Sequence, residues 1–398
     1  MKKHHVILFL GLFVCLSANA QQLTSAERMA YIEANKHKFE NGTSAYKSFI
    51  ARADRVLKDD VVSVTEKTIL PASGDVHDYI SMGRYWWANP ATPDGLPYIR
   101  KDGQSNPEIY NYDRYKLDQM AKAVIALGYA YYFTKDEQYA DKAMEQLDTW
   151  FLNKKTRMNP NANYGQMVPG HDEGKGRAEG IIDMYIFVEM LDCVTLLSAS
   201  KAMSPNDLKG IKTWFSDLLD WMLTSEIGIE EYNAKNNHGM AYDVQAVAYA
   251  LFAERTDIAK RFIDEFPTKR LFKQIKPDGS QPLELARTIA MHYSLFNIGH
   301  MLDMCALAKS MDIDLYAVKS DDNRSIAKAI EFVLPYLGKP QSEFPYQQIR
   351  EWDENQNKLC WILRRSTFFA PNEEYDALFK KYCNTKNTDI KWLKLAII

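Results

Sequence analysis

Two asparagines, a histidine and a glycine stand together at positions 236–239, inside the stretch NAKNNHGMAYD. Apolar, helix-forming residues follow them, so the group lies at the start of a predicted helix. Asn is a common N-cap and Gly is common in turns, so a helix start without chemistry is one interpretation. In the other, the Asn237 amide holds an acidic group while the His238 imidazole takes a proton.

A second candidate group lies in PDGSQPLELARTIAMHYSLFNIGH, residues 277–300, where Arg287, His292 and Tyr293 interrupt an apolar helical pattern. Such polar groups are costly on an inner helix unless they have partners. Arg287 and Tyr293 are six residues apart, which separates them by about 120° on a regular helix. They share a site only if the helix begins after Arg287 or bends there. His292 and His300 can also be read as core histidines with satisfied hydrogen bonds.

Two long loops supply further candidates. The first, HDYISMGRYWWANPATPDGLPYIRKDGQSNPE, is rich in aromatic residues, Pro and Gly. Aromatic faces bind sugar rings, and Arg binds carboxylates through paired donors. This favours Arg84, Trp86, Trp87 and Arg100 as substrate-binding residues, unless the aromatics serve only to pin the loop.

The second loop contains NANYGQMVPGHDEGKGRAEG. Asn163, Tyr164 and Gln166 are placed to line a cleft. His171, Asp172 and Arg177 stand close to the start of the next helix, and a helix cap with solvent-facing charge explains the segment from His171 onward equally well.

The first twenty residues, MKKHHVILFLGLFVCLSANA, have a basic start, an apolar run and small residues at Ala18 and Ala20. This order predicts a secretory signal peptide cleaved before Gln21 and a periplasmic mature protein. Val14 is larger than the small residue expected before a lipid-modified Cys15. The rest, residues 21–398, is expected to form one domain.

The formal charge of the whole chain is −3, and removal of Lys2 and Lys3 with the leader makes it −5. This argues against a general nucleic-acid binder, and no second apolar run is long enough to span a membrane. Cys193 and Cys305 lie in apolar helical sequence, whereas Cys360 and Cys383 are left open as a disulfide pair. The oligomeric state is not predicted.

Helical periodicity dominates the chain, and alternating strands are scarce. Three irregular stretches, at about 71–112, 154–177 and 339–356, separate helices that are otherwise joined by short loops. So many similar helices predict an all-α fold of packed hairpins, an (α/α) toroid with long loops lining a central cleft. The predicted helices are 116–134, 138–152, 180–199, 206–224, 240–253, 257–265, 284–310, 324–337 and 372–384.

Taken together and in this order, HDYISMGRYWWANP with PDGLPYIRKDG, NYGQMVPG, NNHG and PDGSQPLELARTIAMHYSLFN resemble the bacterial alginate lyase family of α/α-toroid polysaccharide lyases. FPYQQIREW adds a weaker similarity. The resemblance implies cleavage of a 1,4-linked polyuronate by β-elimination. It assigns catalytic roles to Asn237, His238, Arg287 and Tyr293.

In this scheme amide and guanidinium donors stabilise charge on the uronate carboxylate, and Tyr293 is the acid. His238 assists the carboxylate or is the base, and for some uronates Tyr293 is both base and acid. No metal or other cofactor is predicted, because no ligand spacing such as HExxH occurs. A glycoside hydrolase would need two carboxylates from among Asp172, Glu173, Asp278 and Glu284. A non-catalytic glycan-binding protein is the third alternative.

Overall fold

The computed structural model describes residues 44–383, so the predicted signal peptide and its cleavage site lie outside the described residues. Helices carry most of this range. The α-helices are α1 Ser44–Val56, α2 Arg114–Thr134, α3 Glu137–Leu147, α4 Phe187–Leu197, α5 Pro205–Thr224, α6 Glu226–Tyr232, α7 Asn237–Phe252, α8 Thr256–Phe266, α9 Phe272–Gln274, α10 Pro282–Leu285, α11 Ala290–Lys309, α12 Ile326–Val333, α13 Trp352–Ser366 and α14 Glu373–Tyr382.

The helices fall into an inner and an outer layer. In α7 every residue from Gly239 to Phe252 is buried, as expected for a helix that is surrounded by others. The outer helix α8 instead buries a single stripe, Ala259, Phe262, Ile263 and Phe266. Burial on all sides therefore marks α7 as an inner helix, and a one-sided apolar stripe marks α8 as an outer one.

Successive hairpins pack side by side into an α/α toroid. Each inner helix contacts the next one in the series, and α2, α7, α11 and α13 also contact outer helices. The inner contacts run from α2 to α4, α7, α11 and α13, and the outer partners include α3, α5, α8, α12 and α14. The all-α toroid predicted from the periodicity is confirmed.

The helices predicted from the sequence differ from those of the structure in several places. The predicted helix 284–310 is split, because residues 286–289 separate α10 from α11. The first half of the predicted helix 180–199 is a 3₁₀ segment, Ala178–Ile186. Helices α1, α6, α9 and α13 were not predicted, and α13 begins inside a stretch expected to be irregular. The first seven residues of α13 include a single apolar side chain, Trp352, so no apolar repeat marks where the helix begins.

Two pairs of short β-strands hold the two long loops in place. Strand β1 (Ile80–Met82) pairs in parallel with β4 (Tyr164–Met167), which joins the first long loop to the second. Strand β2 (Trp86–Trp87) pairs antiparallel with β3 (Ile99–Arg100) inside the first loop. The β1–β4 pair therefore fixes the two loops against each other.

One close helix approach depends on a glycine. A Cβ at Gly128 of α2 would lie 2.6 Å from the Cβ of Cys193 on α4. Since real Cβ contacts are not this short, the two inner helices can pack at this distance only without a side chain at position 128.

The cysteines of the described range are all buried. Cys360 on α13 and Cys383 beyond α14 are in hydrogen-bond contact as thiols, and this bond, with burial, raises the pKa of Cys360. Across residues 44–383, no helix combines the length and the apolar character needed to cross a membrane.

Candidate active site

A cleft of about 1130 Å³ opens where the ends of the inner helices meet the two long loops. Its lining includes eight Lys and Arg residues and six Asp and Glu residues. The chain as a whole has a net negative charge. The cleft is therefore more cationic than the molecule that contains it. The cations are Arg84, Arg100, Arg114, Lys122, Arg177, Lys235, Arg287 and Arg350.

The Asn-Asn-His-Gly group both starts helix α7 and lines this cleft. Asn236 is the N-cap, and its Oδ1 accepts a hydrogen bond from the His238 backbone N–H at 3.2 Å. Gly239 is required by packing, because a Cβ there would lie 2.1 Å from the carbonyl oxygen of Ala234 and 2.4 Å from Nη1 of Arg270. The cap therefore accounts for Asn236 and packing for Gly239, while Asn237 and His238 remain available to the site.

Asn237 is fully buried and bound to Glu284. Its backbone N–H donates to Oε1 of Glu284 at 2.7 Å, and its side-chain Nδ2 donates to Oε2 at 2.6 Å. Its side-chain carbonyl oxygen, Oδ1, has no hydrogen-bond partner among the described residues. The carboxylate thus fixes the amide at the mouth of the helix.

His238 is held by a second buried carboxylate. Its Nδ1 lies 2.7 Å from Oε1 of Glu231, whose side chain is 2% exposed. Burial alone would lower the pKa of His238, but the charge of Glu231 and the hydrogen bond to it outweigh burial and raise the pKa. With Nδ1 turned to Glu231, Nε2 is the nitrogen left for proton transfer.

Arg287 and Tyr293 meet despite their unfavourable spacing. Helix α11 begins only at Ala290, because Ile289 is not helical (φ −126°, ψ 64°) and bridges to Gln348. A shared site required a helix that begins after Arg287, and α11 meets this requirement. Nη2 of Arg287 donates to the Tyr293 hydroxyl at 2.8 Å, and the guanidinium lies 3.7 Å from the centre of the Tyr293 ring.

Two further residues brace this pair. Asp102 accepts hydrogen bonds from Nε and Nη2 of Arg287 at 3.1 and 2.6 Å. The Tyr85 and Tyr293 hydroxyls are 2.8 Å apart. Burial and then Tyr85 raise the pKa of Tyr293, although Arg287 opposes this. The phenol is therefore protonated at neutral pH, which suits a proton donor.

The aromatic loop contributes part of what was predicted. Arg84, Trp86 and Arg100 line the cleft, and Arg177 stacks over the Trp86 ring at 5.5 Å. Trp87 does not line it. Its indole N–H donates to the backbone oxygen of Gln104, so its hydrogen bond serves to hold the loop.

Of the three residues predicted in the second loop, only one lines the cleft. Gln166 lines the cleft, and its Nε2 donates to Asp183 at 3.0 Å. Asn163 and Tyr164 are not among the lining residues. Oδ1 of Asn163 accepts from the Trp221 indole at 2.9 Å, and Tyr164 belongs to β4, so both hold the scaffold together.

His292 lines the cleft but is paired with its own surroundings. Its Nδ1 lies 3.0 Å from Glu351 and 2.9 Å from Nζ of Lys358. Burial and the charge of Lys358 lower the pKa of His292 to about 4, so it is neutral at pH 7. His300 lies deeper, is 2% exposed, and does not line the cleft.

None of the four carboxylates that were considered for a hydrolase lines the cleft. Asp172 and Glu173 line a neighbouring cavity, and Asp278 is exposed on a turn. Glu284 lies behind Asn237 and is committed to it. No group of three or more His, Cys, Asp or Glu side chains suited to a metal ion occurs within residues 44–383. That no cofactor is needed remains a prediction.

Four residues that matter to the geometry were missed or misread. Tyr85 and Asp102 stand inside quoted motifs, yet nothing in their spacing separates them from their neighbours. Glu231 precedes His238 by seven residues and comes near it only through the turn between α6 and α7. Glu284 was considered only as a hydrolase carboxylate.

Comparison with known proteins agrees with this geometry. A family model for alginate lyase matches residues 63–344. The crystal structure of an alginate lyase from Bacteroides ovatus is 51% identical, with a TM-score of 0.90 over 95% of this chain and 99% of that chain.

More distant structures share the fold. Alginate lyase A1-III from Sphingomonas species A1 is 16% identical, with a TM-score of 0.55 over 90% of this chain and 92% of that chain. A Tyr-to-Phe variant of alginate lyase A1-III complexed with a tetrasaccharide is 16% identical, with a TM-score of 0.58 over 89% and 90% of the two chains. No curated protein sequence matches significantly. The chain therefore belongs to the alginate lyase family of polysaccharide lyases.

Proposed function

We propose that this enzyme cleaves a 1,4-linked polyuronate of the alginate type by β-elimination. The observation that carries the proposal is the Tyr293 hydroxyl. It is buried, is hydrogen-bonded by Arg287, and lines the same cationic cleft as Asn237 and His238. The similar structure from Bacteroides ovatus is that of an alginate lyase, which supports alginate as the substrate class.

The reaction needs one base and one acid. A base removes the proton on C5 of the uronate, and the electron pair forms the C4–C5 double bond. The bond from C4 to the glycosidic oxygen breaks, and that oxygen takes a proton. Tyr293 is the donor, because its raised pKa keeps the phenol protonated.

The C5 proton becomes removable when charge spreading into the C6 carboxylate is stabilised. Arg287 uses Nε and Nη2 for Asp102 and Tyr293, and Nη1 is not used in these bonds. Asn237 and Arg287 together form the carboxylate clamp. A protonated His238 would add a third positive group.

The base depends on the uronate. For mannuronate or glucuronate, where proton and leaving oxygen can lie on one face, Tyr293 can act as both base and acid. For this, Tyr293 first loses its own proton to solvent, and Arg287 stabilises the phenolate. The phenolate takes the C5 proton, and the phenol so formed gives that proton to the leaving oxygen. For guluronate the proton lies on the other face, and neutral His238 is the base. Glu231 orients His238 for that role by holding Nδ1.

The cleft rim provides the neighbouring sugar sites. Arg84 and Arg100 are exposed cations suited to uronate carboxylates, and Trp86 offers a partly exposed ring face. Gln166 adds an amide, while His292 is neutral and offers a hydrogen bond rather than a charge. We assign these five residues to substrate binding.

An initial-rate ultraviolet assay on polymannuronate, polyguluronate and glucuronan tests the proposal. Elimination leaves a conjugated double bond that absorbs, with no water added to the product mass. Polymer cleavage without absorbance, with water added, would indicate a hydrolase. Binding without cleavage would indicate a glycan-binding protein.

We further propose that the chain is exported to the periplasm after cleavage between Ala20 and Gln21. The basic, apolar and small-residue order of the first twenty residues supports this. Mass spectrometry of the exported protein should give a chain that starts at Gln21. An intact Met1, or a lipid on Cys15, would contradict it.

A further inference from the structure

The Asn237 amide has one end bound and one end unpaired in the interior. Nδ2 donates to Glu284, whereas Oδ1 is buried without a partner among the described residues. A buried carbonyl oxygen without a hydrogen-bond partner destabilises the structure, because it has lost its bonds to water and gained none. A structure that keeps such an atom inside a binding site calls for an explanation.

The present orientation is also poorly suited to an anionic substrate. A uronate carboxylate accepts hydrogen bonds and does not donate them. Nδ2 of Asn237 donates one of its two hydrogens to Glu284, and the unpaired atom of Asn237, Oδ1, is an acceptor. The side chain therefore presents fewer donors than an amide can supply.

One proton removes both difficulties. A neutral Glu284 has a carbonyl oxygen that still accepts from the Asn237 backbone N–H and a hydroxyl that donates. If the Asn237 amide turns over, its Oδ1 accepts from that hydroxyl. Both hydrogens on Nδ2 then point away from Glu284. With a substrate carboxylate accepting from Nδ2, no buried polar atom of the pair remains unpaired.

We propose that Glu284 is a positioning residue that takes up a proton when the anionic substrate binds, which turns the Asn237 amide donors toward the uronate carboxylate. Glu284 is 2% exposed and is absent from the cleft lining, so it acts through Asn237 rather than on the sugar. The substrate adds a negative charge beside an already buried carboxylate, and that disfavours the ionised form of Glu284.

Burial and the groups around Glu284 act on its pKa in opposite directions. Burial raises the pKa of Glu284, while its bonds to Asn237 and then the charges of Arg287 and His238 oppose this. The charges of Glu231, Glu179 and Glu284 act on His238 in turn and raise its pKa. Helix α11, which packs against α10, contributes Tyr293 and His292 to the same cleft.

This inference rests on the proposed function, and a proton-linkage experiment tests it. Tetramannuronate is titrated calorimetrically into Tyr293→Phe enzyme at neutral pH in buffers of different ionisation enthalpy. The Tyr293→Phe enzyme should take up a proton that Tyr293→Phe/Glu284→Gln does not, with binding retained. Equal uptake by both enzymes, or loss of binding in the double variant, overturns the proposal.

Steady-state kinetics provide the second readout. The amide introduced by Glu284→Gln can donate to Oδ1 of Asn237 and accept from its backbone N–H, so this substitution mimics the protonated state. KM of the wild type should rise by up to about tenfold per pH unit on the alkaline side, and that of Glu284→Gln should not. Glu284→Ala should lose at least about tenfold in kcat/KM at every pH, because it removes the partner of the Asn237 backbone N–H.

The outcomes separate the two proposals. If the wild type cleaves polyuronate but Glu284→Gln has the same alkaline pH dependence, or is as impaired as Glu284→Ala, Glu284 is only a fixed acceptor. If the wild type forms no unsaturated product from any polyuronate, the proposed function fails and this inference fails with it.

Discussion

At the scale of single residues, the site consists of side chains fixed in pairs. Tyr293 is fixed by Arg287, Arg287 by Asp102, His238 by Glu231 and Asn237 by Glu284. A group that must transfer a proton or hold a carboxylate works best when its orientation is already set. In each pair, the cleft-lining partner receives its geometry from a group that is buried or partly buried.

The Glu231–His238 pair predicts a specific pH dependence. If neutral His238 removes the proton from guluronate, kcat/KM falls as pH drops through the His238 pKa. Glu231 raises that pKa, so Glu231→Gln should lower it and shift the acid limb toward lower pH. The measurement is kcat/KM on polyguluronate across the acid range.

The neighbouring Glu230→Gln is the matched control. Glu230 is exposed and lines the same cleft, and the described structure gives it no hydrogen bond to His238. Glu230→Gln should leave the acid limb of the pH profile of kcat/KM unchanged. An unchanged limb in Glu231→Gln would show that His238 does not titrate as the base.

The sequence indicated the principal catalytic candidates but not their supports. Asn237 and His238 stand at a predicted helix start, and Arg287 and Tyr293 interrupt an apolar helical pattern, so all four can be recognised in the chain. Asp102 lies 185 positions from Arg287, and Tyr85 lies 208 positions from Tyr293. Such long-range pairs leave no local pattern in a single sequence.

At the scale of elements, the start of α11 decides whether the site exists. Ile289 leaves the helical conformation, and Oε1 of Gln348 accepts from the Met291 backbone N–H at 2.9 Å. The partner strand of this bridge comes from residues that sequence periodicity marked as irregular. The break is imposed by tertiary contact, which is why the pattern alone predicted one continuous helix.

The inner helices make a stability prediction. Gly128→Ala would press a methyl group against Cys193, and overpacking of this kind costs about 1–3 kcal/mol in the free energy of unfolding. Thermal unfolding followed by circular dichroism should show a lower Tm.

Gly299→Ala is the control for this prediction. Gly299 lies within α11, and a Cβ there would be 3.9 Å from the nearest atom, Nη1 of Arg365. Alanine is favoured over glycine inside helices by about 0.5–1 kcal/mol, so the Tm should stay equal or rise. A Gly128→Ala protein as stable as this control would contradict the close approach of α2 and α4.

At the scale of the whole molecule, charge is distributed unevenly. The chain is net negative, yet the cleft has more cations than acids. Lys235 is exposed at the rim, and the described structure gives it no ion pair. A polyanion is attracted to such a cleft, and salt screens the attraction.

We therefore expect KM for polyuronate to rise with ionic strength while kcat changes little. Lys235→Gln should raise KM by about twofold to fivefold at low salt and reduce the salt dependence. Lys276→Gln removes the same charge from an exposed turn outside the cleft and should change neither. Equal effects of the two substitutions would rule out local attraction by the cleft.

The most direct measurement is the initial rate of unsaturated product formation by Tyr293→Phe. The substitution keeps the ring and removes only the hydroxyl, and Tyr110→Phe, at a 66% exposed position outside the cleft, is the control. Tyr293→Phe should lose about 10²–10⁴ in rate on every polyuronate cleaved, as expected for loss of a general acid, with an unchanged circular dichroism spectrum. A folded Tyr293→Phe enzyme that forms unsaturated product as fast as Tyr110→Phe would contradict the assignment of Tyr293 as the acid.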